Sequence, residues 1–452
     1  MPASAIEWDT IIRLTVDPNE QRPGLGYQRS LAIDPTGNIW VFWQDSRNSF
    51  PQLWYRRFEV ASRIWLPESQ LTRMDITCNL PSVASDGQGN IHVCWHIDAE
   101  NIPRLRGIWY QRFNARTGQW QPETLLVPAP IPYWLKYPSV AVEPNSGTLH
   151  IVYYGHPDTG GLPQVFHKQF VPGLGWLPAE QLTSFPDNHS DASVAVDSND
   201  DLCVVWLGTD LGSSEQQVLA RCRIGGVWQE IQQVSDLPGG LTQYSPAVAA
   251  GANGYWHIVW SGQYPNHRYN QIFYRCRTPA GWSDIFTVSR FVPYSQFSPC
   301  ITTAGNQCVV IWTGKCPTSP ETTQLQVAIR NHSGIWTEPI PITSFTLTQP
   351  HRPAIIYDPN SGLSICFSGD SAGNVDVYYL SGRLIPSGIQ EHPLPPSVPS
   401  SLLFTPPVSG ARIYSPAGMK INSLCAPGVY LIEDQPNGPR RFRKLLLLRG
   451  KN

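Results

Sequence analysis

The chain reads as an all-β protein: a seven-bladed β-propeller of four-stranded blades, closed by its N-terminal strand and followed by a small C-terminal β-module. Three observations predict this. First, its 452 residues are 41% hydrophobic and only 15% charged, with 43 Pro, 36 Gly and 17 Trp, a composition that favours strands, tight turns and aromatic packing over long helices. Second, one sequence unit returns seven times, its landmarks Trp43, Trp95, Tyr153, Trp206, Trp260, Trp312 and Phe367 standing about 54 residues apart, which suits four short strands with their turns. Third, the last copy lacks its fourth strand, and a spare copy of that strand precedes the first.

Each unit opens on a small apolar segment ending in a turn: SLAIDPTG, SVASDGQG, SVAVEPNSG, SVAVDSND, AVAAGANG, CITTAGNQ and AIIYDPNSG. Asp34, Asp86, Asp197 and Asp358 stand where a carboxylate can accept hydrogen bonds from the turn's own N–H groups, so they read as turn formers rather than metal ligands. A second segment follows at once as NIWVFW, NIHVCW, TLHIVYY, DLCVVW, YWHIVW, CVVIW and LSICF, near-continuous apolar runs of strand length. After a variable loop comes the third: QLWYRRF, GIWYQRF, QVFHKQF, QVLARCR, QIFYRCR, QLQVAIR and VDVYYLSGR. A short turn then leads to a Trp and a fourth segment, starting at Trp65, Trp120, Trp176, Trp228, Trp282 and Trp336.

No such segment follows Arg383. WDTIIRLT, from Trp8 to Thr15, carries the same Trp and closing Leu-Thr as WLPESQLT and WLPAEQLT. Placing it as the outer strand of the last blade removes an unpaired sheet edge and joins the chain ends. The propeller is therefore expected over residues 7–383. An array of separate sandwiches would ask each unit of roughly 54 residues to build its own core without disulfides or metal, which is too few.

Residues 384–401 hold Pro386, Pro393, Pro395, Pro396 and Pro399, which cannot donate to a ladder and read as a semi-rigid linker. Residues 402–452 read as a small β-module of three strands, ARIY, GVYLIED and RKLLLLR.

With 32 Lys and Arg against 34 Asp and Glu, the net charge of -2 gives no long-range field to steer the molecule to nucleic acid, so no nucleic-acid partner is expected. The longest apolar run, LLLL at 445–448, is far short of the roughly 20 residues that span a bilayer, and no transmembrane segment is read. MPASAIEWDT has neither a basic n-region nor an apolar h-region, so no signal peptide is read, and an exported chain requires a trimmed start. Of ten cysteines, Cys94, Cys203, Cys308 and Cys366 fall inside apolar strand runs and read as buried small hydrophobes. No CxxC or Cys/His ligand spacing occurs, so neither a metal nor another cofactor is expected.

Function on a repeat scaffold lives in the variable loops of one face. The second-to-third loops are the varied ones, and the first, QDSRNSFP, offers Asp45 and Arg47. Aligning the copies exposes a second set at the entry to each innermost strand, where side chains face the channel mouth. Gln28, Leu80, Tyr137, Asp191, Ser245, Ser298 and Arg352 are equivalent, as are Tyr27, Asn79, Lys136, Ser190, Tyr244, Phe297 and His351 one place further out. At the next position Arg29 replaces the Pro or Ala of other copies. Arg29 and Arg352 belong to blades that meet at the ring closure, where two guanidiniums could clamp a carboxylate. Tyr27, Tyr137, Tyr244 and Phe297 could stack on sugar rings, with Asp191 and His351 adding polar contacts.

Two resemblances extend this reading. The units around Ser82 to Trp95, Trp43 to Arg47 and Gln271 to Arg275 resemble those of the sialidase-like superfamily of secreted propellers. True sialidases carry Ser-x-Asp-x-Gly-x-x-Trp boxes, whereas the nearest stretches here, NARTGQW and NHSGIW, lack the Ser-x-Asp portion. Of the sialidase machinery only part of an arginine clamp can be placed, and no Tyr/Glu pair. Ile413-Tyr414, Gly418, Gly428-Val429-Tyr430 and Lys444 to Arg449 resemble the C-terminal sorting domain of type IX secretion substrates, which implies export and the secretion machinery as a partner. The combined expectation is a secreted or cell-surface monomer that binds a glycan or another extracellular ligand on its long-loop face, with no catalysis indicated. A sialidase-like glycoside hydrolase and a protein-interaction scaffold are the alternatives.

Overall fold

The computed structural model describes residues 5–385 apart from 25–29, 185, 187, 210–214, 238–240, 291, 306, 346–349 and 372–373, and beyond them the backbone of four short strands. Residues 5–385 form a seven-bladed β-propeller. Blade 1 runs through Gln21–Arg22 with Leu31–Ile33, Ile39–Asp45, Gln52–Glu59 and Ile64–Trp65. Blades 2 to 6 repeat that order, and blade 7 consists of Pro350–Asp358, Gly362–Ser371, Asn374–Ile385 and the N-terminal strand Ala5–Trp8. Neighbouring strands are antiparallel throughout, as in Ile39↔Phe58 and Trp43↔Trp54 of blade 1.

The core is divided among the seams rather than gathered at a centre. Seven buried clusters each draw on two adjacent blades; one joins Leu31, Val41 and Trp43 of blade 1 to Ala354, Cys366 and Tyr379 of blade 7. The seven landmark aromatics are all buried. A four-stranded blade is apolar on both faces and cannot bury either alone, so each blade needs two neighbours and the ring must close. The nine described cysteines are buried free thiols, including Cys94, Cys203, Cys308 and Cys366, for which the apolar runs predicted it. Asp34, Asp86, Asp197 and Asp358 accept from the N–H groups of their turns at 2.8–3.1 Å.

The repeated polar letters also have physical reasons. The Gln that opens the third strand and the Thr or Ser that ends the fourth form a buried pair. The hydroxyl donates to the Gln carboxamide oxygen at 2.7–2.9 Å in Thr183–Gln164, Ser235–Gln217, Ser289–Gln271 and Thr343–Gln324. The hydroxyl oxygen in turn accepts the next N–H of the third strand, from Val165, Val218, Ile272 and Leu325. Third-strand arginines join the blades: Arg56, Arg221 and Arg275 donate Nη1 to the carbonyls of Leu14, Leu182 and Val234 of the preceding blade, at 2.8–2.9 Å.

Blade 7 is completed by the same device supplied from the other end of the chain. Ala5–Trp8 pairs with Asn374–Ile385 in the register Ala5↔Ile385 to Trp8↔Gly382, and Ile12–Arg13 pairs with Tyr379 and Tyr378. The Thr15 hydroxyl reaches Asp376 Oδ1 at 3.2 Å and accepts the Val377 N–H at 2.9 Å, while Arg13 donates to Asp376 Oδ2 at 2.5 Å. Asp376, standing where blades 1 and 3 to 6 have Gln, is buried, and desolvation raises its pKa against the pull of Arg13 and Thr15.

Three readings are refined. The fourth segment is two short pieces rather than one strand, such as Gly175–Trp176 and Glu180–Gln181 in blade 3, because prolines such as Pro178 interrupt the ladder. The second-to-third connections of blades 5 to 7 are extended hairpins rather than loops: His267–Thr278, Ser319–Arg330 and Asn374–Ile385 each run 12 residues, and Tyr264 pairs with His267 and Cys316 with Ser319 near their tips. The Pro-rich linker lies outside the described residues. The separate C-terminal unit, residues 388–452, has four strands rather than three, since Lys420–Ile421 adds to the edge of Arg412–Tyr414, beside Gly428–Glu433 and Phe442–Leu447. No helix among the described residues is long and apolar enough to cross a membrane.

Thr15→Val would strand the Val377 N–H and one Asp376 oxygen in the core, so we expect a loss of about 1–3 kcal/mol in urea unfolding. Acid should also weaken the fold. Burial lowers the pKa of His96 to about 3, reinforced by Lys136, and that of His257 to about 4, reinforced by Arg330. The folded state therefore refuses protons that the unfolded chain accepts below its ordinary histidine value, and stability falls as pH drops from about 6.5, by roughly 2 kcal/mol for each group at pH 5. Urea midpoints at pH 7.5 and pH 5 read this loss, and His257→Val, which installs the residue of blade 6 (Val309), should remove its share.

Candidate functional site

The entry of each innermost strand is where the repeat departs from regular β-structure. Leu80, Tyr137, Asp191, Ser245, Ser298 and Arg352 all have positive φ, between 35° and 53°. At each of these places the register between the first and second strands skips, as between Tyr244 and Ala247 or Phe297 and Cys300. Non-glycine residues in this region of the backbone map are strained, and bulges that re-aim side chains collect near functional sites. One backbone distortion thus recurs around the mouth on six blades while its side chain varies. Gln28, the equivalent in blade 1, lies outside the described residues, as do Tyr27 and Arg29.

One place outward, Tyr244, Phe297 and His351 occupy the same position on the adjacent blades 5, 6 and 7, paired with Ser261, Thr313 and Ser368 at the ends of the second strands. Tyr244 is 38% and Phe297 47% exposed, and His351 is exposed as well. The extended hairpins of blades 5 to 7 rise on the same side, so this aromatic arc runs along their feet. Although exposed by area, His351 is crowded by the walls of the mouth. Desolvation, then the charges of Arg352 and Arg22, outweigh Asp370 and hold its pKa below the ordinary value, leaving the imidazole neutral at pH 7 with the cationic guanidinium of Arg352 beside it in sequence.

On blades 2 and 3 the face is organised differently. Asp98 is held by Lys136 at 2.6 Å and Arg106 at 3.1 Å, and Lys136 also lies over the Trp134 ring at 4.6 Å. Desolvation raises the Asp98 pKa, but these two cations more than reverse it. Tyr137 stands edge-on to the buried His96 ring at 4.9 Å, and its N–H donates to His96 Nδ1 at 3.4 Å. Tyr133 stacks on His156 at 4.6 Å, and Trp134 meets the same ring edge-on at 4.8 Å. The mouth positions singled out in the sequence missed Tyr133 and Trp134; the aromatic run PYWLKYP between blades 2 and 3 was the available signal.

Asp45 and Arg47 are brought together with each other rather than with Arg352. Asp45 is buried, accepting from Trp43 Nε1 at 2.9 Å and from Arg47 Nε and Nη2 at 2.9 and 2.7 Å. Arg47 also donates to Glu68 at 2.7 Å and lies over Trp54 at 4.2 Å. Burial works against its charge, and the bonds to Asp45 and Glu68 outweigh that and raise its pKa. Both groups are spent on tying the blade 1 loop to the sheet. Asp191 shares the bulge position with Tyr137 and Arg352, and its charge helps desolvation raise the pKa of the buried Tyr154. Below the mouth, a cavity of about 140 Å³ in the channel is lined mainly by apolar residues such as Ile33, Ala84, Val142, Val196 and Ile356, with Ser85 its single polar side chain. No cluster of metal-ligating side chains occurs among the described residues.

No protein-family model and no curated protein matches the chain. Solved structures do match. A polysaccharide lyase, Uly1, has 11% identity and a TM-score of 0.59, covering 84% of this chain and 100% of its own. A polysaccharide lyase described as PL25 ulvan lyase has 11% identity and a TM-score of 0.58, covering 81% of this chain and 94% of its own. The same description recurs for a structure bound to -[GlcA(1-4)Rha3S]-, at 10% identity, TM-score 0.58, and coverage of 83% and 96%. At such identity the likeness is one of fold.

If the bulges are kept for what they present, relieving one should stabilise the ring. Ser298→Gly, at φ 48°, is expected to raise stability by roughly 0.5–1 kcal/mol, since glycine takes positive φ without strain but loses more chain entropy on folding. A thermal or urea midpoint at or below that of the parent would contradict this.

Proposed function

We propose that the long-loop mouth of the propeller binds an extracellular glycan. The observation that carries this is the aromatic arc: Tyr244 and Phe297 stand exposed at equivalent positions of neighbouring blades. An exposed aromatic ring costs solvation unless an apolar face covers it, and the C–H face of a pyranose is such a partner, with hydroxyls left for polar neighbours. His351, Arg352 and Asp191 supply those neighbours. The guanidinium of Arg352 favours a carboxylate-bearing unit on the blade 7 side, since Arg meets carboxylates in a bidentate fork.

Among the propellers that the fold resembles, one has an oligosaccharide bound, which agrees with this reading, but the mouth residues are its support. The sorting-domain pattern of residues 402–452 is the basis for placing the protein outside the cell, and secretion of the full chain, lost on removing that unit, would be the matching observation.

A glycan array of neutral and acidic oligosaccharides, followed by calorimetry on the best ligand, tests the proposal. Tyr244→Ala and Phe297→Ala should each weaken binding about tenfold, the equivalent of one stacked ring or about 1.4 kcal/mol. Arg352→Lys should reduce affinity for acidic glycans more than for neutral ones. Unchanged affinity in both aromatic variants would remove the mouth from consideration, and turnover of a bound oligosaccharide would make the site an active site.

A further inference from the structure

A second feature lies away from the mouth, between the end of blade 4 and the two outer strands of blade 5. There a groove of about 500 Å³ is lined by Asp236, Leu237, Tyr264, Arg275, Asp284 and Ile285, among others. Arg275 spends Nε on the Ser283 carbonyl at 2.8 Å and Nη1 on that of Val234 at 2.9 Å. Arg56 and Arg221 make the same two kinds of bond in blades 1 and 4, so these belong to the scaffold. The second terminal nitrogen of Arg275 has no hydrogen-bond partner among the described residues. Asp236 and Asp284 are exposed, and neither carboxylate has a hydrogen bond or ion pair among the described residues.

Blade 6 is the comparison, with Ala328 standing where blade 5 has Arg275. VSDL and WSDI at the blade 5 seam correspond to VSRF and WTEP at the blade 6 seam, so Asp236 and Asp284 are matched by Arg290 and Glu338. In blade 6 these two form an ion pair at 3.4 Å, with Arg290 also lying over Phe286 at 4.9 Å. The seam can therefore be bridged by opposite charges. At blade 5 the cation is Arg275, whose charge both Asp236 and Asp284 favour, yet neither acid is hydrogen-bonded or ion-paired to it, so all three keep polar atoms for a ligand. Their chemistry defines that ligand. An anion is repelled by two carboxylates, and a bare cation meets the guanidinium between them. A neutral polyhydroxylated ring satisfies all three: each carboxylate accepts hydroxyl protons, Arg275 Nη2 donates to a hydroxyl or ring oxygen, and Tyr264, Leu237 and Ile285 face its C–H surface.

We propose that this groove is a binding site for a neutral monosaccharide unit, distinct from the mouth. It stands on its own residues and does not depend on the mouth reading. The test is saturation-transfer NMR and calorimetry of the full chain with the methyl glycosides of glucose, galactose and mannose. At least one is expected to bind. Asp236→Arg, which sets a second guanidinium beside Arg275, should weaken it tenfold or more, and the thermal midpoint of the same sample, above the binding temperature, separates lost binding from lost folding. Asp284→Asn should weaken it several-fold, and Tyr244→Ala at the mouth should leave it unchanged. The proposal fails if none of the glycosides binds, if Asp236→Arg binds like the parent, or if calcium chloride alone saturates the groove and displaces the sugar.

Discussion

The ring depends on one buried contact between the two ends of the propeller, where the Thr15 hydroxyl and the Arg13 guanidinium meet the carboxylate of Asp376. Blades 3 to 6 make the equivalent closure within a stretch of some 20 residues, as Thr183 does with Gln164. Blade 7 makes it across 361 positions. Because each of the seven core clusters is shared by two blades, leaving that contact open would expose the third strand of blade 7 as a free edge and loosen the apolar faces beside it. The exchange of Gln for Asp is legible in these terms: the closing strand brings a cation, and a carboxylate uses it where a carboxamide would not.

With the ring shut, the mouth becomes a set of equivalent pedestals. The strained bulge at six strand entries is a property of the backbone, and it lifts whichever side chain the sequence places there. Hydrophobic packing at the seams supplies the free energy to hold that strain, which explains how Leu80, Tyr137, Asp191 and Arg352 can share one conformation despite unlike chemistry. Variation can accumulate at these positions without disturbing the blades, whereas Asp45, Trp43 and Arg47 form a locked unit in which any one change leaves a buried polar group without its partner.

The repeat also separates scaffold from function by comparison between blades. An arginine that makes the same two carbonyl bonds in blades 1, 4 and 5 is there for the ring. Two exposed acids that flank that arginine at one seam alone, without bonding to it, are not. The same logic sorts the second-strand histidines. His92, His150 and His257 stand where other blades carry Trp40, Cys203, Val309 or Ser364, and each is buried against a partner such as Tyr110, His167 or Tyr274 at 2.7–2.8 Å, so they read as alternative core fillings.

Blade number, strand order, the turn aspartates, the buried thiols and the closing strand were all legible in the sequence, because each is set by local pattern repeated often enough to align. Periodicity determines which residues are apolar and together, and the spare WDTIIRLT segment determines how the circle ends. The extended hairpins of blades 5 to 7 were not legible, since Pro265 and Pro317 look like loop residues until the flanking strands are seen to pair past them. Nor was the fate of single polar side chains. Whether Arg47 reaches the mouth or Glu68, whether two acids meet across a seam, and which mouth aromatics stay exposed are decided by distances between chain segments some 20 to 50 residues apart. Only the tertiary structure sets those distances, because they arise from the packing of blade on blade and not from any pattern within one.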